Sequence, residues 1–548
     1  MTRVTGSFAT LGLGLVHTFQ GTDTAVRRIC NGRGWPPLDP KARLCHNRPV
    51  ANERPVLGID FGTTNTAAAW CDAQGKIHLV PVGEKSYTLP SVVWFGPGEK
   101  VLVGALAREQ LLDDPHRTVV APKRFIGRRF KSEFVTRNKD RYPYEIIEDE
   151  QGLCAAAIEG SPVSFTDVAF HVIRRILELA NATAGFEFED AVLTVPAHFS
   201  YGQRRGVRTA AEMAGLEVRA MVNEPTAAAL YYAKHKDAGG RVLVFDLGGG
   251  TFDATLLDVS RRVATVLSTG GDPYLGGRDF DSTIVTHLLN VVTFEQGRKL
   301  DPSKVVMQRL LFAAEAAKIR LTKEEVAHIK VPLVASDGTG FVDLEYDLTR
   351  AELEEISEGL IARAVGIVGD VLAAAGCSDL DVGEVIFVGG QTRMPAIRDR
   401  LTRRFKHDPK KHVHPELGVA IGAAILGRTL NLPRGPALVD VVPMPIGVMA
   451  PTLGTKEVIG RNAVVPSTHT VTIETRPPDG QPMNLAVYEA ADAAAVEREL
   501  LGMLTVPADW MAAHAGDLTL EMRIGFDFDL TCAIVSPHGS KQLPLQPV

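Results

Sequence analysis

The chain carries one short pattern of apolar and polar positions twice. In this pattern an apolar run ends in an aspartate, and a cluster rich in glycine and threonine leads into a second apolar run. The first copy is Val56–Trp70 and the second is Val242–Val259. Each copy predicts a strand, a tight turn and a second strand. Two copies of this unit in a single chain indicate an internally duplicated α/β domain.

Strand and helix patterns alternate around these two copies. Apolar residues recur at helical spacing over Phe165–Gly185 and Asp301–Thr322, and Pro302 suits the first turn of the second helix. Short apolar runs at Ala191–Val195 and Glu384–Val388 predict buried strands, each followed by a turn. Such alternation is typical of the α/β class.

The pattern changes near residue 432. Prolines and a glycine lie around residues 433–442, which predicts a linker between an α/β domain at 55–432 and a β-rich domain at 443–548. Within the latter, Val471–Glu489 predicts two strands around a proline-rich turn, and Leu518–Val535 alternates in part. We therefore predict a small β-rich domain, with no helical tail before the last residue.

Composition narrows the class of protein. The chain has 548 residues, of which 45% are hydrophobic and 23% charged, so it predicts a soluble protein of two or more domains. A formal net charge of −6 argues against nucleic-acid binding by charge. The sequence contains no run of about 18 apolar residues, so no membrane helix is predicted. The six cysteines are scattered without a CxxC pair, which argues against zinc and disulfides and favours a reducing, cytoplasmic compartment.

Residues 1–54 show no clear periodicity. They are basic, and a mildly apolar stretch at residues 8–19 follows Arg3, as in a weak signal peptide. Glycines, His17 and the missing small-residue cleavage site argue against a signal peptide. We interpret the segment as a disordered leader or the product of an upstream start codon, with a targeting function as the alternative.

The two turns have the composition of phosphate loops. Gly62-Thr63-Thr64 and Gly248–Thr251 supply small residues and backbone N–H donors, which a closely approached phosphate requires. Asp60, Asp246 and Asp253 lie beside them, and Mg²⁺ prefers one or two carboxylates with several waters. One such turn alone is typical of a plain hairpin, but two copies with matching acids favour a clamp for a triphosphate. No Walker GxxxxGK[ST] motif occurs.

A series of further motifs spans residues 56–428. They are Val56–Trp70, Pro122–Phe130, Leu193–Phe199, Val222–Tyr232, Val244–Val259, Tyr274–Asp281 and Phe387–Ile397. In this order they resemble the DnaK-type seventy-kilodalton heat-shock chaperones. The resemblance implies an actin-like (ribonuclease H-like) duplicated ATPase domain followed by a small β-sandwich.

The resemblance also implies a site for ATP or ADP with Mg²⁺, with K⁺ as a further candidate ion. It implies catalytic roles for Lys123, Glu224, Asp246, Thr251 and Asp253. It implies that Asp60 and Asp246 hold the metal, mainly through water. The residues implied to contact the nucleotide are Asp60, Gly62, Thr63, Thr64, Asn65, Gly248, Gly249, Gly250, Gly276, Gly277, Glu315, Lys318, Thr322, Gly389, Gly390, Arg393 and Glu416.

Several of these residues also have plainer interpretations. Lys123 lies in a basic run that is equally typical of a solvated surface, and Asn223–Thr226 is a good helix start in its own right. Glu315, Lys318 and Thr322 share one helical face, which is also typical of an exposed polar surface with a local ion pair.

The activity that the resemblance implies is slow, Mg²⁺-dependent ATP hydrolysis that acts as a switch. Positioning and charge neutralisation carry most of such a phosphoryl transfer. Coupling to a client domain would use Pro196, Arg204 and the linker residues Leu438, Val439 and Asp440. The implied partners are unfolded or extended polypeptides, a J-domain co-chaperone and a nucleotide exchange factor, without nucleic acid or membrane.

The chain departs from the family pattern in three places. The helical lid is absent, Leu530-Thr531-Cys532 replaces an Asp-Gly turn, and Arg278 stands where the family has an acid. Ile473, Met483 and Leu485 are candidate client pockets, with a plain β-sandwich core as the alternative.

Three other functions remain open at this point. A sugar or small-molecule kinase and an actin-like filament protein share the duplicated fold, but neither explains the linker and the β-rich domain. The third is a nucleotide-gated specialised binding protein with weak or no general chaperone activity, and fold analogy alone does not exclude it.

Overall fold

The computed structural model describes most of the chain from residue 55 onwards. The described ranges are 55–234, 240–260, 263–296, 302–336, 341–409, 413–430, 437–450, 454–474, 477–478, 480–490, 498–514, 516–525 and 527–546. The chain divides into two units, Met1–Asn52 and Glu53–Val548, and all the described residues belong to the second. The predicted leader and residues 433–436 of the predicted linker lie outside the described residues.

The first lobe, residues 55–234, mixes strands and helices. Its strands are β1 Leu57–Phe61, β2 Asn65–Cys71, β3 Ile77–Leu79, β4 Leu89–Pro90, β5 Val92–Phe95, β6 Val101–Val103, β7 Thr118–Val120, β8 Glu145–Glu148, β9 Cys154–Ile158, β10 Ser161–Ser164, β11 Asp190–Val195 and β12 Glu217–Asn223. Its helices are α1 Ala105–Glu109, α2 Glu133–Asn138, α3 Phe165–Ala184, α4 Tyr201–Met213 and α5 Glu224–Lys234.

The second lobe, residues 240–430, has a similar mixture. Its strands are β13 Gly240–Leu247, β14 Phe252–Val259, β15 Val263–Asp272, β16 Val326–Ser336, β17 Phe341–Thr349 and β18 Glu384–Val388. Its helices are α6 Gly277–Gln296, α7 Lys304–Arg320, α8 Arg350–Ile356, α9 Glu358–Ala374, α10 Pro395–Phe405 and α11 Gly418–Leu430.

The C-terminal region, residues 437–546, is almost entirely β-structure. Its strands are β19 Ala437–Val441, β20 Ile446–Ala450, β21 Gly454–Ile459, β22 Val464–Val465, β23 Ser467–Ile473, β24 Met483–Ala490, β25 Arg498–Val506, β26 Leu518–Ile524, β27 Leu530–Ser536 and β28 Gly539–Leu543. One short helix, α12 Ala508–Ala513, precedes β26.

Each lobe is built on a sheet with the same local arrangement. In the first lobe β1 pairs in parallel with β11 and antiparallel with β2. In the second lobe β13 pairs in parallel with β18 and antiparallel with β14. The glycine-rich turns that the sequence predicts join β1 to β2 and β13 to β14. The structure is therefore mixed α/β with several sheets, as expected.

Each of the three regions has an apolar cluster of its own. Phe125 and Phe165 stack in the first-lobe core with ring centroids 5.0 Å apart, and Phe245 and Phe252 lie 4.7 Å apart in the second. The C-terminal core contains Leu485 together with Ile473 and Met483. All three C-terminal side chains are at least 97% buried, so none forms an open client pocket in this structure.

Most predicted elements are confirmed, with one correction. The helix at Phe165–Ala184 ends at Gly185, whose left-handed backbone (φ 77°) favours glycine. The second predicted helix begins at Lys304, because the Ser303 hydroxyl accepts from the backbone N–H of Val306 and caps it. Pro302 therefore precedes the cap rather than standing in the first turn.

The two strands predicted within Val471–Glu489 are confirmed as β23 and β24. Both strands exist, but β23 pairs with β26 whereas β24 pairs with β20 and β25. The proline-rich segment thus connects two sheets instead of closing a hairpin. Among the described residues, no helix combines the length and the apolar content that a membrane crossing requires.

Candidate active site

The two glycine-rich turns meet face to face. A Cβ atom on Gly249 would lie 1.8 Å from Oγ1 of Thr64, and one on Gly250 would lie 2.5 Å from Cγ2 of Thr63. Gly276 packs against Gly250 in the same way, with its added Cβ 2.5 Å from the Gly250 nitrogen. Side chains at these positions would push the turns apart, so glycine is required by their close approach.

A cavity of about 700 Å³ opens between the lobes beside these turns. Its volume suits a nucleotide-sized ligand. The predicted site residues that line it are Asp60, Gly62, Thr63, Thr64, Asn65, Lys123, Glu224, Asp246, Gly248, Gly249, Thr251, Gly277, Glu315, Lys318, Thr322, Gly389, Gly390, Arg393 and Glu416. Of the remaining ones, Gly250 and Gly276 pack behind the turns, and Asp253 lines a smaller cavity behind Lys123.

Lys123 is buried at the inner end of the cavity. It lies in a short 3-10 turn, Pro122–Arg124, and its ammonium group donates to Oε1 of Glu224. The ammonium also lies 5.6 Å from the ring centre of Phe199. Only 2% of Lys123 is exposed, so the alternative of a solvated surface lysine does not hold in this structure.

Buried carboxyl groups surround this lysine. Burial raises the pKa of Asp60, Glu224 and Asp246, and their mutual repulsion adds to the effect for Glu224 and Asp246. The positive charge of Lys123 opposes this rise in all three. Several acids therefore share one neighbouring ammonium group.

Strand geometry places the aspartates. Asp246 and Asp253 stand opposite each other in the β13–β14 ladder. Asp60, at the end of β1, accepts a hydrogen bond from Oγ1 of Thr194 at 3.4 Å, and Asp253 pairs with Nδ1 of His198 at 2.7 Å. The acids are thus fixed by the sheets rather than by mobile loops.

This set of residues fits a divalent cation. Asp60 and Asp246 both line the cavity, burial raises the pKa of each, and a hard cation bound beside them would stabilise their ionised forms. Within the described part of the chain, no three His, Cys, Asp or Glu side chains converge as direct ligands of one ion. Asp60 and Asp246 are the cavity residues that could hold such a cation, directly or through its water shell.

The outer end of the cavity carries the predicted nucleoside contacts. Lys318, on α7, donates to the carbonyl of Gly277 at 2.7 Å and pairs with Asp281 at 2.8 Å. Glu315, one turn earlier, pairs with Arg108 of the first lobe. Arg393 pairs with Glu416 at 2.8 Å on the opposite side. Thr322 follows the end of α7, and its hydroxyl donates to the carbonyl of Ile319.

Sequence reasoning missed residues that support this site. Arg124 donates to the carbonyl of Gly250 at 2.6 Å and to Asp279 at 2.8 Å, so it ties the first lobe to the second glycine turn. Arg108 and His198 also bond to predicted site residues. Arg124 stood in a run of four basic residues, and no local pattern distinguished it from the others. Arg278 lines the cavity and lies 4.8 Å from the ring centre of Tyr142.

The predicted coupling residues lie behind the cavity. Arg204 on α4 donates to the carbonyls of Phe199 and Ala197 and to Oδ1 of Asn223, at 3.2, 3.0 and 2.8 Å. Its guanidinium also lies 4.1 Å from the ring centre of Phe528 in the C-terminal region, and burial lowers its pKa to about 10. Arg204 thus contacts both regions.

The other coupling residues lie nearby. Asp440 accepts from Oγ1 of Thr226 at 3.1 Å, and burial raises its pKa. Leu438 and Val439 lie in β19, whose backbone pairs with β15, but their side chains fall outside the described residues. Pro196 lines the small cavity behind Lys123.

Comparison with known proteins identifies the family to which the chain belongs. The chain is 34% identical over 482 residues to "Chaperone protein DnaK" of Buchnera aphidicola subsp. Schizaphis graminum (strain Sg), covering 86% of this chain and 75% of that protein. The model of the family described as Hsp70 protein matches residues 56–534, which include both lobes and nearly all of the C-terminal region. The chain belongs to the Hsp70 family.

Proposed function

We propose that this protein is an ATP-dependent molecular chaperone that binds unfolded or extended polypeptide under the control of ATP binding and hydrolysis. The observation that carries the proposal is the meeting of two glycine turns and the Lys123–Glu224 pair at one end of a 700 Å³ cavity. Membership of the Hsp70 family supports the chaperone function. The C-terminal β-structure packed against the first lobe supports the control.

The cavity supports hydrolysis of a nucleoside triphosphate. Backbone N–H groups of the two turns would hold the phosphates, and Lys123 would balance charge on the transferred group. Glu224, through its bond with Lys123, would hold that ammonium in place and orient the attacking water. Mg²⁺, when bound, neutralises phosphate charge and orders water. Thr251 would contact a phosphate, while Asp253, fixed by His198, would hold water on the far side.

The finer properties of the nucleotide site are part of the same proposal. Hydrolysis would be slow and dependent on Mg²⁺, since positioning and charge neutralisation are the main contributions that these residues offer. K⁺ is a further candidate ion. The remaining nucleotide contacts would come from the predicted site residues that line the cavity on both lobes.

We also infer a duplicated, actin-like nucleotide domain at residues 55–432. The matching arrangement of β1, β2 and β11 with that of β13, β14 and β18 supports it. Residues 433–442 would form the linker and 443–548 a β-sandwich. A J-domain protein and an exchange factor would be partners, and a cytoplasmic location stays a prediction.

One observation favours the second candidate, a nucleotide-gated specialised binding protein. Ile473, Met483 and Leu485 are buried in the C-terminal core and leave no open apolar pocket among themselves. The better candidates for client contact are Met449 and Val464, which are 42% and 50% exposed. Single exposed apolar residues are ordinary on a protein surface, so they do not by themselves indicate a broad client site.

ATP turnover by the purified full chain separates these candidates. It is measured with and without Mg²⁺ and with and without an unfolded apolar peptide, using a charged peptide of equal length as the control. A general chaperone gives Mg²⁺-dependent turnover that the apolar peptide stimulates. Turnover that ignores the peptide favours the specialised binding protein, and the absence of ATP binding overturns both.

A further inference from the structure

Two glutamates of the C-terminal region contact the start of helix α4 in the first lobe. Oε2 of Glu489 accepts from the backbone N–H of Tyr201 at 2.9 Å. Oε1 of Glu499 accepts from the hydroxyl of Ser200, the N-cap residue of α4, at 3.3 Å. A helix N-terminus presents unpaired N–H groups and a partial positive charge, so it is a favourable partner for a carboxyl group.

The two carboxyl groups are also neighbours of each other. Glu489 in β24 stands directly opposite Glu499 in β25 in the antiparallel ladder. Like charges at opposed positions repel, and the repulsion grows where water is excluded. Glu489 is only 5% exposed, because α4 covers it. The contact between the regions therefore buries one carboxyl group beside a second.

Other charged and titratable groups among the described residues also act on Glu489 and Glu499. From α4, Arg204 attracts Glu489 at a distance, while its guanidinium donates to Phe199, Ala197 and Asn223. In β25, the Arg498 guanidinium lies 5.5 Å from the ring centre of Tyr488. Among the described residues, the Cys154 thiol also interacts with Glu499, and β20, which flanks β24, carries no titratable side chain.

The electrostatic consequence follows from this arrangement. Burial, and then the charge of Glu499, raise the pKa of Glu489 to about 8. The Tyr201 N–H and Arg204 act in the opposite direction without cancelling the rise. Separation of the regions would return Glu489 to water and its pKa towards the ordinary glutamate value of roughly 4.3.

We propose that docking of the C-terminal region onto the first lobe takes up a proton at the Glu489–Glu499 pair, so that the contact tightens as pH falls and loosens as pH rises. The device goes beyond the proposed function and does not depend on client binding. It makes the contact between the regions sensitive to pH across the neutral range.

The direction and window follow from the two protonation states. Below roughly pH 4.3 both the docked and the separated forms carry the proton, so docking does not depend on pH. Between that value and a pH of about 8, only the docked form retains it. Each unit of rising pH then weakens docking by up to about tenfold. Above that window both forms are ionised, and the dependence ends.

Hydrogen exchange at the Tyr201 amide tests the proposal, because this N–H is bonded to Glu489 only while the regions are docked. Exchange is followed by mass spectrometry on the full chain without nucleotide at pH 6, 7, 8 and 9, and is corrected for the intrinsic pH dependence of amide exchange. Protection of the peptide that contains Tyr201 should fall by up to about tenfold per unit between pH 6 and 8. It should level off near pH 9.

Two variants give the test its controls. Glu489→Gln keeps the acceptor for Tyr201 but has no titrating group, so its protection should stay flat with pH. Glu499→Gln removes the neighbouring charge, so its protection at pH 8 should exceed that of the unaltered protein. A flat profile in the unaltered protein, or an equal slope in Glu489→Gln, overturns the proposal. Neither outcome depends on ATP turnover, so failure here is distinct from failure of the chaperone function.

Discussion

Groups of acids occur in two regions of the molecule: beside the cavity, and at the domain contact, where Glu489 and Glu499 meet the start of α4. The two groups differ in what lies beside them. Burial raises the pKa of Asp246 in the first group and of Glu489 in the second. Asp246 borders a cavity of about 700 Å³, whereas Glu489 is covered by α4. A raised pKa therefore has the same cause in both places but a different consequence.

The difference shows how buried acids can be interpreted. Where open space adjoins them, a metal ion or a bound nucleotide can change the charge balance, and the acids indicate a ligand site. Where another part of the chain seals them, a proton is the readily available counter-charge. The space beside a buried carboxyl group thus distinguishes a ligand site from a protonated contact better than its pKa does.

The largest expected effect belongs to the cavity. Lys123→Ala should reduce ATP hydrolysis by about 100-fold or more, because it removes the buried cation that would stabilise charge in the transition state. Nucleotide affinity should change much less, since the backbone of the two turns remains. Single-turnover hydrolysis and calorimetric ATP binding measure the two effects separately.

Lys131→Ala provides the matched control for that variant. Lys131 lies eight positions further along the same segment, and its side chain is 81% exposed, so turnover should stay near that of the unaltered protein. Full hydrolysis in Lys123→Ala would contradict the proposed role of this residue. It would also mean that the buried ammonium group of Lys123 does not distinguish the acids of the cavity from those of the domain contact.

An intermediate effect is expected at Asp440. Asp440→Ala removes the acceptor of the buried Thr226 hydroxyl and should weaken docking by roughly tenfold, the usual scale for a buried hydrogen bond that loses one partner. Stimulation of ATP turnover by an apolar peptide should fall accordingly, while unstimulated turnover stays similar. Steady-state turnover with and without peptide measures the loss.

Thr226→Val tests the same contact from its other side. It removes the donor but leaves the Asp440 carboxyl bonded to the backbone N–H of Val441, so a smaller loss is expected. Peptide stimulation that is unchanged in Asp440→Ala would count against coupling through this residue. Of the residues compared with the cavity acids, Glu489 alone would then be left as a candidate for controlling the contact between the regions.

The smallest effect is expected where the contact is partly exposed to water. Arg208 pairs with Asp527 at 3.1 Å, with both side chains over a quarter exposed, so Arg208→Ala should weaken docking by no more than about 1 kcal/mol. Exchange of the Met221 amide, which donates to Asp527, measures the loss, and high salt should abolish the difference. The control is Arg205→Ala, which removes an exposed arginine of the same helix and should leave exchange of the Met221 amide unchanged. A loss as large as that of Asp440→Ala would contradict this ranking.

Much of the fold and of the cavity could be predicted because their signals are local. The two glycine turns, the strands beside them and the helix at Phe165–Ala184 depend on short runs of sequence. The start of α7 was predicted too early, since a Ser303 cap and a Pro302 first turn compete over adjacent residues. Such boundaries depend on single hydrogen bonds that periodicity does not reveal.

The contacts that join distant segments could not be predicted in this way. The Glu489 carboxyl and the Tyr201 amide are 288 positions apart, and nothing near either residue indicates the other. The same holds for Arg124 and Gly250, which are 126 positions apart. The pairing of β23 with β26 instead of β24 likewise follows from the packing of a whole region.

Strand β19 has a consequence for how this protein can diverge in sequence. Residues 437–439 pair with β15 of the second lobe, and Asp440 and Val441 pair with β22 of the C-terminal region. Such pairing uses main-chain groups, which every residue except proline supplies in full. Proline at any of residues 437–439 would remove a main-chain donor from this strand. Over evolutionary time, we therefore expect proline to stay out of β19, while Asp440 is constrained further by its bond with the Thr226 hydroxyl.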